Sequence, residues 1–352
     1  MRSGGPHFAS FAGKLLIVAA TVSLLVTFGF TQIQTCQQGG QFFYQHRWQE
    51  AADAFQNCEL ASPGKTDALL YRAKSLVNLS DLTGAAAALD SYIASHPDSD
   101  DALYLLGYVR FRQDQPRKSL DAFASAAKLK APQPSDLKIA ALDYVLLNDY
   151  ESAARYLEQS LKMNPQDAEA RYHLGRVRYQ QNQFDPAIAA FEEVLRQEPA
   201  NAKAEYNLGL CLEAKNQNEN AIAAYRKAIE MDATATTKIA QPYIDLGKLL
   251  NTLDRASEAA PALSEALKIR SDSAPAHYEM GRALFLLGRL QDSQSQLIEA
   301  IKFDPDNSSP HYLLGRVYSR IGKSELAAEQ FKITQKLIHQ QNSKSGGMAS
   351  QR

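Results

Sequence analysis

Apolar residues recur along most of this chain at three- and four-residue steps, as in Leu208, Cys211 and Leu212, then Ile222, Tyr225 and Ile229. That spacing lays them along one face of a helix and predicts short amphipathic helices in succession. One stretch departs from it. Residues Leu15 to Phe30 (LLIVAATVSLLVTFGF) are uncharged and mostly apolar, extend to Ile33 with two polar interruptions, and follow Arg2 and Lys14 with no acid before them. The run is longer than the core of a signal peptide and shorter than the roughly 20 residues of a spanning helix. It reads as an uncleaved single-pass anchor; a cleaved signal is the alternative, with Thr27-Phe28-Gly29 as a poor cleavage site. Lipidation of Cys36 is a third reading, and Ile33-Gln34-Thr35 lacks the small residue expected before such a cysteine. No Lys or Arg follows Lys14 until Arg47, so the positive-inside rule leaves the N-terminus in the cytoplasm and the rest of the chain outside it.

The helical pattern is a repeat. Ala-x-x-x-Tyr-x-Leu-Gly occurs from Ala168 to Gly175 and again, 34 residues on, from Ala202 to Gly209. With that glycine as position 8, the same phase gives Gly39, Ala73, Gly107, Ala141, Gly175, Gly209, Gly247, Gly281 and Gly315. Position 20 is always Ala or Ser, from Ala51 to Ala327, and position 24 is always large and apolar, from Phe55 to Phe331. Position 32 is proline at Pro63, Pro97, Pro165, Pro199 and Pro305. Small residues at 8 and 20 let two antiparallel helices approach, a large residue at 24 fills the space beside them, and proline at 32 ends the second helix. One such hairpin cannot bury its own faces, so neighbours must stack.

A 34-residue helical hairpin kept in register nine times resembles the tetratricopeptide-repeat family. The resemblance covers repeats 32–65, 66–99, 100–133, 134–167, 168–201, 202–235, 240–273, 274–307 and 308–341. It implies an all-α, right-handed superhelical solenoid of antiparallel helix pairs. It is preceded by the anchor segment 1–31 and followed by a Gly/Ser-containing tail, 342–352, expected to be disordered. A four-residue insertion near Thr234 to Ile239 should lengthen the turn between the sixth and seventh repeats. Pro186 reads as the first helical residue after an Asp185 cap, and Pro261 should bend its helix or delay its start. Family members are adaptors and scaffolds holding peptides or partner helices in a concave groove. The resemblance therefore implies a non-catalytic, membrane-attached protein-binding scaffold of a bacterial-type cell envelope, with no cofactor. It would sit on the periplasmic side of the cytoplasmic membrane, or free in that compartment if the signal is cleaved. The alternative is a self-associating structural, secretion or assembly component.

Charge and chemistry narrow this further. Lys and Arg number 38 against 39 Asp and Glu, a net charge of -1, which argues against nucleic acid held by bulk electrostatics. Three cysteines are too few for a disulfide scaffold or a four-thiolate metal site. Ser62-Pro63-Gly64-Lys65-Thr66 resembles the end of a phosphate loop, yet Glu59 stands where its first glycine belongs. His277 and His311 occupy one position of adjacent repeats, about 10 Å apart at a helix spacing, too far to share a metal. No small-molecule substrate is indicated.

Helical spacing puts positions 2, 5, 9 and 12 of each first helix on one stripe. Position 9 carries Arg176, Lys248, Arg282 and Arg316, broken by Leu210, and position 5 carries Tyr172, Tyr206, Tyr278 and Tyr312, broken by Ile244. Such a stripe would line a groove in repeats 5 to 9 and prefer acidic or carboxylate-bearing partners, since arginine takes a carboxylate through two hydrogen bonds. Packing is the competing role for these tyrosines. The carboxylate clamp of some family members is not matched: its Lys and Asn positions in one first helix hold Tyr172 and Arg176, although Asn207 is available in the next. Cys36 and Cys58 stand at positions 5 and 27, which antiparallel helices joined near position 16 bring opposite each other. They are either a disulfide or two small buried thiols beside a free Cys211.

Overall fold

The structure, a computed structural model, describes residues 36–61, 63–64, 67–233 and 238–349. The expected anchor and residues 234–237 of the insertion lie outside the described residues. Among those described there is no strand, and no helix is long and apolar enough to cross a membrane. The chain divides at the junction of the fourth and fifth repeats into two compact units, Met1–Gln166 and Asp167–Arg352.

The first unit contains α1 (36–44), α2 (Trp48–Ala61), α3 (Ala68–Asn78), α4 (Leu82–Ser95), α5 (Asp100–Arg112), α6 (Pro116–Ala127), α7 (Pro134–Leu146) and α8 (Tyr150–Met163). The second contains α9 (Ala168–Gln180), α10 (Phe184–Gln197), α11 (Ala202–Ala214), α12 (Asn218–Asp232) and α13 (Gln241–Thr252). It continues with α14 (Ala256–Ile269), α15 (Ala274–Leu286), α16 (Leu290–Phe303), α17 (Ser308–Arg320) and α18 (Ser324–Ala349). Within each unit the two helices of a repeat pack on each other and on the next repeat, which is the all-helical stacked-hairpin architecture.

Every second helix starts at position 17 of its repeat, and every first helix from α3 onward ends at position 13. The reason is a turn that the apolar pattern does not display. Position 15 has positive φ in all nine repeats: His46, Ser80, Asp114, Asn148, Asn182, Asn216, Asp254, Gly288 and Gly322. In each, the amide of position 15 donates to the carbonyl of 12 and that of 16 to the carbonyl of 11, as in Asn182 to Tyr179 (2.9 Å) and Gln183 to Arg178 (2.8 Å). This left-handed cap closes the last helical carbonyls and reverses the chain. First helices start on side-chain caps at position 34 of the preceding repeat, where Ser99, Asp167, Asn201, Ser273 and Asn307 accept from backbone amides.

Packing within a hairpin turns on positions 8, 20 and 24. At Gly209 an added Cβ would lie 2.6 Å from the Tyr225 ring, so only a hydrogen fits there. The two repeats with alanine at position 8, Ala73 and Ala141, have leucine at 24, Leu89 and Leu157, both fully buried. Where position 20 is serine it bonds the carbonyl of position 8, Ser119 to Gly107 (2.8 Å) and Ser293 to Gly281 (2.7 Å).

Three expectations change. Pro261 does not delay its helix: α14 begins at Ala256, with Pro261 inside it. Pro186 is the third residue of α10, whose cap position is Gln183, and Asp185 instead pairs with Lys215. A proline there costs no hydrogen bond, because the first amides of a helix have no partner in it. The expected disordered tail is helical over 342–349, since α18 runs to Ala349; a helix already nucleated by packing at Ala327, Thr334 and Leu337 propagates at little cost per residue.

Candidate functional site

The second unit holds a cleft of about 630 Å³ between the first helices of its early repeats. Its walls include Tyr172 and Arg176 from α9, Lys203, Tyr206 and Asn207 from α11, and Gln241 and Pro242 from α13. A neighbouring hollow of about 570 Å³ shares Tyr172, Arg176, Asn201 and Lys203 and adds Glu169, His173 and Glu198. Arg176 and Lys203 thus stand on the rim common to both.

The two tyrosines are held on both sides. Each is half-buried, Tyr172 against the Phe191 and Val194 cluster and Tyr206 against the Tyr225 and Leu246 cluster. Their hydroxyls are positioned by hydrogen bonds: Asn207 Nδ2 donates to Tyr172 (3.1 Å), and Tyr206 donates to Asp245 (2.6 Å). Burial first, and for Tyr206 the Asp245 carboxylate next, push both phenols upward, so they stay protonated donors at neutral pH. Gln241 Nε2 also donates to Asp245 (3.1 Å), so that acid is already engaged. Arg176 is exposed with its guanidinium 6.0 Å from the Tyr172 ring centroid. Among the described residues neither Arg176 nor Lys203 has an ion-pair partner, so two cations without a direct carboxylate contact stand beside two aromatic faces, with Asp232 in the wall of the cleft and Glu169 and Glu198 in that of its neighbour.

The rest of the expected row is spread over later repeats. Lys248 is exposed on α13, without an ion-pair partner among the described residues. Tyr278 is half-buried against the Phe285 and Leu313 cluster, and burial raises its phenol. Arg282 is committed: its guanidinium lies 3.7 Å from the buried carboxylate of Glu279, which also accepts from Asn251 Nδ2 (3.0 Å). Tyr312 is 50% exposed, and Arg316 lies 6.0 Å from its ring. The structure therefore brings together Tyr172, Arg176 and Tyr206, and leaves Lys248, Tyr278, Arg282, Tyr312 and Arg316 away from that cleft.

Lys203 was not among the residues expected from sequence, and Asn207 was singled out there only as available to a carboxylate clamp, not for its contact with Tyr172. Lys203 occupies position 2, on the same helical face as positions 5 and 9, so the signal was there; the role of Asn207 at position 6 is seen only through its contacts. The first unit has its own hollow, about 290 Å³, lined by Tyr104, Phe123, Pro132, Asp136, Tyr144 and Tyr156 among others. No periodic row announces it. Cys36 and Cys58 are bonded across the first hairpin with Cα atoms 5.1 Å apart. Cys211 is a buried thiol pushed up to about 12 by its burial. No group of three or more His, Cys, Asp or Glu placed to hold a metal ion occurs among the described residues.

Repeated hairpins of this kind define a stacked helical-repeat protein. Two family models, both described as tetratricopeptide repeat, match residues 37–99, 70–135 and 174–236, and residues 144–193 and 252–317. The chain belongs to the tetratricopeptide-repeat family, whose members are generally protein-interaction scaffolds. No curated protein matches it significantly in sequence. Similar solved structures include the C-terminal part of a TPR repeat-containing protein from Cytophaga hutchinsonii, with TM-score 0.58 and 16% identity, covering 69% of this chain and 98% of that one. A tetratricopeptide repeat protein from Parabacteroides merdae gives 0.54 and 17%, covering 71% and 97%. YrrB, described as a TPR protein with an unusual peptide-binding site, gives 0.48 and 24%, covering 53% and 95%. At these identities the likeness is one of fold.

Proposed function

We propose that the protein is a non-catalytic scaffold whose second unit captures an acidic segment of a partner protein along the face formed by its first helices. The observation that carries this is the pair Arg176 and Lys203 on the rim of the cleft, without carboxylate partners and beside Tyr172 and Tyr206. Exposed cations of that kind attract a carboxylate, and the aromatic faces supply apolar area, a combination frequent at interaction hot spots. Arg282 is a poor member of the row because it neutralises Glu279. The test is binding of arrayed acidic and neutral peptides to the full chain. Acidic peptides should bind preferentially and lose affinity with salt, and R176A/K203A/K248A should weaken them at least tenfold, about 1.4 kcal/mol, with helicity unchanged. Equal retention of neutral peptides, or full binding by the triple variant, overturns the reading.

The segment Leu15 to Phe30 anchors this scaffold to the cytoplasmic membrane with the repeats on the far side, a reading supported by its lack of charge and by Arg2 and Lys14 before it. Protease added to spheroplasts should digest the repeats. Protection until lysis sinks the orientation, and release of a soluble chain sinks the anchor.

A further inference from the structure

Two arginines at the end of the second unit share one aromatic ring. Arg316 Cζ lies 4.8 Å and Arg320 Cζ 4.1 Å from the centroid of Phe285, a side chain only 3% exposed. The ring is fixed by the core of Leu313, Leu314 and Val317, and the two arginines stand one turn apart on α17. α17 (SSPHYLLGRVYSR) contains no acidic residue, and among the described residues neither guanidinium has an ion-pair partner. Several other exposed arginines are matched, Arg47 by Glu50, Arg196 by Glu193, Arg226 by Glu258 and Arg289 by Asp292, whereas Arg112, Arg117 and Arg176 are not. The two distances to a common centroid keep the guanidinium carbons within about 9 Å of each other. One oxyanion held by both through two hydrogen bonds each needs them about 8 Å apart or less, a separation that the i, i+4 placement of the two side chains on one face of α17 allows.

We propose that Arg316 and Arg320, stacked on Phe285, form a subsite for one phosphate monoester carried by the partner segment. This rests on the groove reading above and extends it to the chemistry at the end of the groove. One carboxylate offers two oxygens and one charge, which satisfies a single guanidinium fork and leaves the second cation unmatched. A phosphate monoester offers three terminal oxygens and nearly two charges at neutral pH, which matches both forks. Cation–π contact with the buried ring positions the two guanidinium groups without using their N–H donors on another residue's carboxylate. Tyr312, half exposed beside Arg316, gives the ester-bearing side chain an apolar wall.

Two measurements on the full chain test this. In the first, inorganic phosphate and acetate are titrated calorimetrically at constant ionic strength into the wild type and R320A. Saturable phosphate binding that is absent for acetate and lost in R320A is expected, weakening from pH 7.5 to 5.5 as phosphate loses its second charge. Equal heats for the two anions, or phosphate binding unchanged in R320A, overturn the subsite. In the second, a pool of acidic peptides with a central serine is compared with the same pool carrying phosphoserine. The phosphorylated pool should bind at least tenfold more tightly, R320A should remove that advantage without changing the unphosphorylated pool, and R320K should restore only part of it. R176A/K203A should weaken both pools, so loss of all peptide binding with phosphate binding intact marks failure of the groove reading alone. Phosphatidic acid vesicles that capture the protein through Arg320, with no discrimination between the peptide pools, would assign the site to a lipid headgroup and overturn the peptide assignment.

Discussion

The two units are built from one repeat and differ in what they do with their polar groups. In the first, Lys74 pairs with Asp101 (2.5 Å) and Arg110 with Asp90 (2.7 Å) between neighbouring repeats and Lys130 with Asp100 (3.0 Å) within one, while Arg117 and Lys128 are exposed without an ion-pair partner among the described residues. In the second, Lys215 pairs with Asp185, Arg226 with Glu258 and Arg255 with Glu219 between repeats, while Arg176, Lys203, Lys248, Arg316 and Arg320 have no ion-pair partner among the described residues. The first unit also has a disulfide in its first hairpin and a buried carboxylate at Asp143 with no hydrogen-bond partner on either oxygen. Position 10, where Asp143 sits, is Val109, Val177, Cys211, Leu249, Ala283 or Val317 in six other repeats, all buried, and the polar Gln41 and Ser75 in the first two. The difference lies in the clefts: that of the second unit has Arg176 and Lys203 in its wall, whereas the hollow of the first, lined by Tyr104, Phe123, Asp136 and Tyr156 among others, has no Lys or Arg in its lining.

The largest effect should come from Asp143. Burial pushes its carboxyl up to about 7, with a nearby Ser119 hydroxyl opposing that shift. A carboxyl raised above its unfolded value of about 3.9 is protonated in the fold, so stability is greatest in acid and falls as pH rises toward 7. The difference is about 4 kcal/mol at most. Hydrogen exchange of α7 and α8 should therefore quicken from pH 5 to pH 8 beyond the intrinsic rate change, while the second unit follows the intrinsic rate. D143V should abolish the excess and protect α7 and α8 at pH 8. An unchanged excess in D143V would remove this contrast between the units.

Next in size is the disulfide. Its 22-residue loop is worth roughly 3 kcal/mol by loop entropy. Reduction should expose α1 and α2 to exchange and leave the second unit untouched, because its one cysteine, Cys211, is a free buried thiol with no bond to reduce. Equal loosening of both units would show that the bond does more than close one hairpin.

The contrast between units was only partly legible in the sequence. Positions 8, 20 and 24 carried the fold because each is set by packing, and packing repeats with the hairpin. Gly209→Ala should accordingly cost about 2 kcal/mol by forcing a methyl into Tyr225, read as a lower melting temperature, whereas Ala73→Gly should open a small gap above Leu89 and cost less. Lack of any difference would deny that the approach of the Tyr225 ring limits position 8 to glycine in the sixth repeat. The cleft was legible in part: Tyr172, Arg176 and Tyr206 were on the row, but a row read at positions 5 and 9 omitted Lys203 at position 2. Pairing partners were the hidden term. Nothing in the one-dimensional pattern distinguishes Arg282, held by Glu279, from Arg316, stacked on Phe285.

The smallest effect concerns the turn at position 15, where the units differ again. The second unit ends with Gly288 (φ 78°) and Gly322 (φ 79°), whereas the first begins with His46 (φ 58°) and Ser80 (φ 62°) in the same left-handed region. Glycine adopts that conformation without strain, Asn and Asp tolerate it, and a residue with a Cβ such as serine or histidine pays roughly 1 kcal/mol. The gain from substituting glycine is reduced by the greater freedom glycine has when unfolded. Ser80→Gly should therefore raise stability by about 0.5 kcal/mol, and Gly322→Ala should lower it by about 1 kcal/mol. Thermal melts of the two variants, with Asn148→Gly as a near-neutral control, decide whether the turn is strained in the first unit; a destabilised Ser80→Gly would mean that the serine side chain contributes more there than its backbone costs.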